Sequence, residues 1–110
     1  MEMSERSVGD VIVINLIGAL TSNDASELHE AMSRLLERGH NKIVFDLAQL
    51  NYIDSLGLGE LVACQLRAIK NGQSLRLANA DSRVQDVLLV TQLITVFDAY
   101  DSLESALDSF

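Results

Sequence analysis

The sequence predicts a single α/β domain, a mostly parallel β-sheet of about five strands with about four α-helices packed on it. Three observations carry that reading. Short, β-branched apolar runs alternate with segments of helical period, which implies βαβ crossovers and parallel pairing. The chain has 110 residues, the length of one domain. Its composition is 48% hydrophobic and 22% charged, too apolar for a disordered chain. Trp is absent and aromatics are only 5%, so the core must be built from Leu, Ile, Val and Ala.

Each element has a local reason. Met3 to Ser7 reads as a short first strand, with Gly9-Asp10 as its turn. Val11 to Ile17 is almost continuously apolar, as a strand covered on at least one full face should be, and Gly18 ends it. Thr21 or Ser22 caps the first helix, and Asp24 follows Thr21 at the spacing of a capping box. Ala25, Leu28, Met32, Leu35 and Leu36 then recur at helical period, and Gly39 closes the helix. Lys42 to Leu47 is the next strand, and residues 48 to 54 connect it to a second helix. Leu58, Leu61, Val62 and Ile69 form the inward side of that helix, Glu60, Arg67 and Lys70 lie elsewhere, and Asn71-Gly72 stops it. Leu75 and Leu77 alternate with Ser74 and Arg76 in a fourth strand. Asp81 caps a third helix carrying Val84, Val87, Leu88 and Thr91. Thr95-Val96-Phe97 is a last, edge-like strand. Asp101 or Ser102 opens a final helix with Leu103, Ala106, Leu107 and Phe110 inward.

Charge and cysteine content narrow the function classes. Eight basic against sixteen acidic residues leave a net charge of −8, which argues against nucleic-acid and polybasic membrane binding. Cys64 is alone, so neither an intrachain disulfide nor a thiolate metal site is expected, and it falls where a small core residue belongs. No apolar run approaches the roughly 18–20 residues of a membrane span. Met1 to Arg6 is polar and acidic, the wrong start for a secretory signal. A cytoplasmic protein, monomeric when free, without metal or cofactor, is the expectation.

One stretch departs from packing logic: Ile53-Asp54-Ser55-Leu56-Gly57-Leu58-Gly59, at the mouth of the second helix. Ser55 is read as its N-cap. Gly57 and Gly59 then sit in the first turns, where each costs about 1 kcal/mol relative to Ala. Two such costs side by side point to a need for bare backbone, either for close approach or for amides facing an anion. Two enzyme readings fail on the same stretch. Asp54-Ser55-Leu56 superficially resembles the nucleophile box of GDSL hydrolases, but His29 and His40 both precede it and are read as surface residues. Gly57-Leu58-Gly59 is half a dinucleotide fingerprint, with Val62 where a third glycine should stand. Asp98, Asp101, Glu104 and Asp108 read as a solvated acidic end.

The motif D-S-x-G-L-G, here Asp54 to Gly59, resembles that of the STAS domain, and more narrowly of the anti-sigma factor antagonists of bacterial partner switching. Gly18-Ala19-Leu20, Ala25, Leu28, Asp46-Leu47 and Asn71-Gly72 extend the resemblance over nearly the whole chain, as one STAS-like domain over residues 1–110. The resemblance implies that Ser55 is a phosphorylation site. It further implies partners: an anti-sigma factor serine kinase that binds the unphosphorylated form, and a PP2C-type phosphatase that restores it. The partner-binding residues would be Thr21, Asp54, Ser55, Leu56, Gly57 and Gly59. Thr21 stands where the family usually has an acidic residue, and Leu56 where it usually has Ser or Thr. The alternative implied by the family is a non-phosphorylated assembly subunit of a sensory or transport complex.

Overall fold

In a computed structural model, which describes residues 1–110, the chain opens as a hairpin. Strands β1 (Glu2–Val8) and β2 (Val11–Leu20) pair antiparallel from Val8↔Val11 outward, around Gly9 at φ +62°. Helix α1 (Ala25–Glu37) crosses to β3 (Lys42–Ile53), α2 (Ser55–Lys70) to β4 (Ser74–Ala78), and α3 (Ser82–Val90) with a 3-10 turn at Leu93–Val96 to β5 (Asp98–Tyr100). Helix α4 (Leu103–Asp108) ends the domain. The sheet order is β1-β2-β3-β4-β5, parallel throughout except for β1. This is the expected class, a mixed but mostly parallel sheet with four helices.

Strand alternation divides the core. Ile12, Ile14 and Leu16, with Ile43, Phe45, Leu47, Leu75 and Leu77, face Leu28, Met32, Leu61, Cys64 and Leu88 of the first three helices. Val11, Val13, Val44 and Ala78 point the other way, where Ala106 seats α4. Burial pushes the Cys64 thiol up to about 12, with the Glu60 carboxylate adding to the effect, so it stays protonated and packs as a small apolar side chain.

Several expected boundaries move, each for a local reason. Gly18 bends β2 instead of ending it: it sits at φ +97°, beside one of two register shifts, and the strand continues to Leu20. Strand β3 likewise does not stop at Leu47. Its pairing with β4 ends at Asp46↔Ala78, but pairing with β2 continues through Tyr52↔Ala19 to Ile53↔Leu20. The expected connection is therefore a two-stranded extension that carries β2 and β3 beyond the rest of the sheet. Helix α1 starts after Asp24, not after Thr21 or Ser22. Ile69 is 61% exposed, because the inward side of α2 runs through Leu58, Leu61, Cys64, Gln65 and Ala68. Thr91 is an exposed C-cap, its hydroxyl donating to the Val87 carbonyl at 2.7 Å. Thr95 to Phe97 is not the last strand. Gln92 at φ +63° turns the chain into the 3-10 segment, Phe97 plugs the core, and β5 begins one residue later.

Helix α4 is short, seated by Ala106 and capped by Ser102, and Arg76 anchors the residues that follow it. The Arg76 guanidinium lies 4.7 Å from the Phe110 ring centroid, donates to Ser109 Oγ at 3.0 Å and meets Asp98 at 3.3 Å. Replacing it with Met keeps the aliphatic stem and removes about 0.5–1 kcal/mol of cation–π attraction together with the hydrogen bonds. In Arg76→Met, amide exchange across residues 103–108 should quicken well before that of the β2–β3 core. Uniform loss of protection over the whole chain would show that α4 does not open on its own.

Candidate functional site

The β2–β3 extension brings the ends of two strands, and the loops that follow them, side by side. Asp54 ties them together. Its backbone N–H donates to the Leu20 carbonyl at 3.1 Å. One carboxylate oxygen accepts from the Gly57 N–H at 2.8 Å, and the other accepts from the Ser22 N–H at 3.0 Å. Asp54, with extended backbone, is thus the N-cap of α2, and Ser55 is the first helical residue, which corrects the expected cap. A carboxylate can cap the helix with one oxygen and hold the neighbouring loop with the other, which suits this place better than a hydroxyl does.

That shift frees Ser55. It is exposed, and its hydroxyl takes part in none of the hydrogen bonds that hold the cap. The N–H groups at its end of the helix carry partial positive charge, which favours an anion there. Leu56, next in line, is 63% exposed; Gly59, Ala63 and Leu66 continue the same side of α2 at helical spacing, with Ile69 beyond them.

The two motif glycines have different reasons. Gly57 is buried, and a Cβ there would overlap the Leu20 carbonyl oxygen and lie 2.8 Å from the Leu20 carbonyl carbon. Packing alone accounts for it. Gly59 is exposed with nothing within 4 Å of where a Cβ would be, so nothing within the chain demands a glycine there.

Thr21 is held by its own clasp. Its N–H and hydroxyl both donate to one Asp24 oxygen, at 3.0 and 2.9 Å, and the other oxygen meets the terminal amino group at 3.0 Å. The capping-box spacing is therefore real, but Asp24 serves the loop and makes no side-chain bond to its own helix. The Thr21 backbone N–H, then the amino terminus and the Thr21 hydroxyl, hold the Asp24 carboxyl below its usual range.

Thr21, Asp54, Ser55 and Leu56 thus converge at one pole, with Gly59 a turn further along α2 and Gly57 packed beneath them. Sequence reasoning passed over Asn51, Tyr52 and Arg83, which line a cleft of about 410 Å³ with Ile53, Val84 and Val87 beside this pole. Tyr52 became visible only once the connection proved to be strand. Glu60 and Arg67 also do more than lie on a surface. Arg67 donates to the His29 carbonyl and to Ser33 Oγ, and Glu60 meets His29 Nδ1 at 3.1 Å, tying α1 to α2.

A five-strand sheet of this order, with a free serine presented at the mouth of α2, defines a class. The family model described as "Mlab, STAS domain" matches residues 3–97, and the chain belongs to the STAS domain family. Three relatives carry the provisional name of anti-sigma factor antagonist. BtrV of Bordetella bronchiseptica, provisionally assigned to that role, is 28% identical over 112 residues, spanning 100% of this chain and 95% of the relative. A crystal structure from Thermotoga maritima with the same provisional assignment superposes at a TM-score of 0.90, with 25% identity over 97% of this chain and 92% of the other. The antagonist SpoIIAA in its unphosphorylated form shares the fold at 0.75, with 19% identity over 98% of this chain and 96% of the other.

The glycines separate in a pair of thermal melts. Gly57→Ala should lower stability by about 1–3 kcal/mol, as overpacking does, and the melting temperature by roughly 5 °C or more. Gly59→Ala should raise stability by up to about 1 kcal/mol through helix propensity. Equal effects would show that Leu20 does not set the requirement at Gly57.

Asp24 yields a pH prediction. Because its folded pKa is depressed, its contribution is present above the unfolded pKa of about 3.9 and is lost as pH falls through the folded value. Wild type should therefore be more stable than Asp24→Asn near neutrality, and the difference should shrink steadily below about pH 4. Melting curves across pH, with carboxyl titration by NMR, measure both halves; a gap that stays constant into acid would refute the clasp.

Proposed function

We propose that this protein is an anti-sigma factor antagonist that works by partner switching at Ser55. With Ser55 unmodified, the pole formed by Thr21, Asp54, Ser55, Leu56 and Gly59 binds an anti-sigma factor serine kinase and so frees the sigma factor for transcription. Transfer of phosphate to Ser55 Oγ separates the pair, and a PP2C-type phosphatase restores the binding form. The observation that carries this reading is Ser55 itself: an exposed first residue of a 16-residue helix, with a hydroxyl the fold does not use. No helix is long and apolar enough to cross a membrane, and the reading places the protein in the cytoplasm with its sigma factor.

Magnitudes favour a switch in the interface over a switch in the fold. Phosphate adds about −1.5 to −2 charge, and the helix N-terminus offsets this by roughly 0.3–1 kcal/mol when exposed. Repulsion from the Asp54 carboxylate opposes that gain at a similar scale in solvent, so the free protein changes little. A docked partner must instead desolvate the phosphate or move away. A penalty of about 3 kcal/mol already weakens binding some hundredfold. Fold comparison is consistent: SpoIIAA superposes on this chain at 0.75 unphosphorylated and 0.74 phosphorylated. Leu56 adds outward apolar area beside the acceptor, and Gly59 leaves the backbone open to a partner's approach.

Calorimetric binding to a cognate anti-sigma kinase, paired with thermal melting, tests the proposal. Phosphorylated protein should bind about a hundredfold more weakly, with the melting temperature moved by only a few degrees. Ser55→Asp should bind with intermediate affinity. Ser55→Ala should still bind but take up no phosphate by intact mass. Binding indifferent to the state of Ser55 would overturn the switch and favour a constitutive assembly subunit of a sensory or transport complex.

A further inference from the structure

A second surface lies at β5, two strands across the sheet from β3. Helix α3 leaves β5 half covered. Phe97 is buried beneath it, yet Ala99, two residues on and facing the same side, is exposed, and Asp101 follows on that side. The gap is an open cleft of about 330 Å³, walled by Leu88, Leu89, Ile94, Phe97 and Ala99, with Asp101 at its edge. That volume is at the lower end of those that hold a ligand. One wall is itself open to solvent: Leu89 is 57% exposed, and Val90, next to it on α3, is exposed as well. The apolar surface thus continues outside the cavity, where a small molecule would leave it bare and a protein segment would cover it.

Charge selects among protein partners. Asp101 is the one charged residue lining the cleft, and the chain as a whole carries a net charge of −8. Asp98 is engaged by Arg76, whereas Asp101 has no cationic partner within the protein. A second copy of this chain, a nucleic acid or an anionic membrane would each bring like charge to that rim. From these observations we infer that the α3–β5 cleft docks a basic segment of a partner protein. One large apolar side chain sits between Leu89 and Ala99, and a flanking Lys or Arg pairs with Asp101. The cleft does not involve Ser55, so a partner held here stays bound whatever the state of the other pole.

The probe is a pair of peptide pools, each nine residues long with a central Phe, Trp or Leu. The remaining positions are drawn from Lys, Arg, Ser and Gly in one pool and from Asp, Glu, Ser and Gly in the other. They are passed over the immobilised protein at about 0.15 M salt, where long-range attraction is screened. The basic pool should be retained and the acidic pool not. Retained peptides should shift the amide resonances of Leu89, Ile94 and Ala99. Ala99→Leu, which fills the cleft, should weaken them roughly tenfold, and Asp101→Asn several-fold, while Ser55→Asp leaves affinity unchanged. The inference is overturned by equal retention of the two pools, by no retention, by shifts confined to α2, or by Asp101→Asn binding as wild type does.

Discussion

At the candidate site, the start of α2 and the neighbouring loop hang on the two oxygens of Asp54. One holds the first turn of α2 and the other holds the loop that follows β2. Between them the backbone reaches the Leu20 carbonyl, so helix, loop and strand end are locked within a few ångströms. The same carbonyl excludes any side chain at Gly57. An Asp and a glycine three residues apart therefore meet one geometric demand: a helix must begin flush against the end of a neighbouring strand. Ser55 lies between them in sequence and is free because Asp54 has taken the capping role.

The parts of this molecule that were legible in the sequence are those where one physical rule dominates. Alternating strands and helices set the sheet, and Leu28, Met32, Leu35, Val84 and Leu88 declared their burial through periodicity. What was not legible depended on neighbours. The stretch Ala48 to Ile53 buries every third residue, with no strand-like alternation, because register shifts between β2 and β3 break the period, yet pairing with β2 carries it on. Gly18 has the composition of a stop and the role of a bend. Asp54 and Ser55 are both good caps, and only the need to hold Ser22 as well decides between them. Phe97 signalled a strand by type, but it is the plug at the end of a 3-10 turn.

At the site, the motif was legible and its division of labour was not. The two glycines look equivalent in sequence, yet one is buried by Leu20 and the other faces solvent. Leu56 could have turned inward or outward. At the second helical position it turns outward, and with Leu66 and Ile69 it gives α2 an apolar outer side opposite its packed one. Tyr52 and Arg83 come from elements whose bounds sequence reasoning misjudged or whose neighbours it did not place.

Ser55 is not displayed on a flexible strand of chain. It is the opening residue of a regular helix, with its neighbours on both sides fixed by the cap. Under the proposed function, a modifying enzyme must then recognise a shape assembled from residues more than thirty positions apart, and a linear peptide spanning Ser55 would lack that shape. Phosphorylation would thereby become a form of inspection. Only a molecule that has completed its sheet, and brought Leu20 against Gly57, presents a substrate at all. A damaged or half-made copy would neither bind nor be marked, and the regulatory circuit would count only intact molecules.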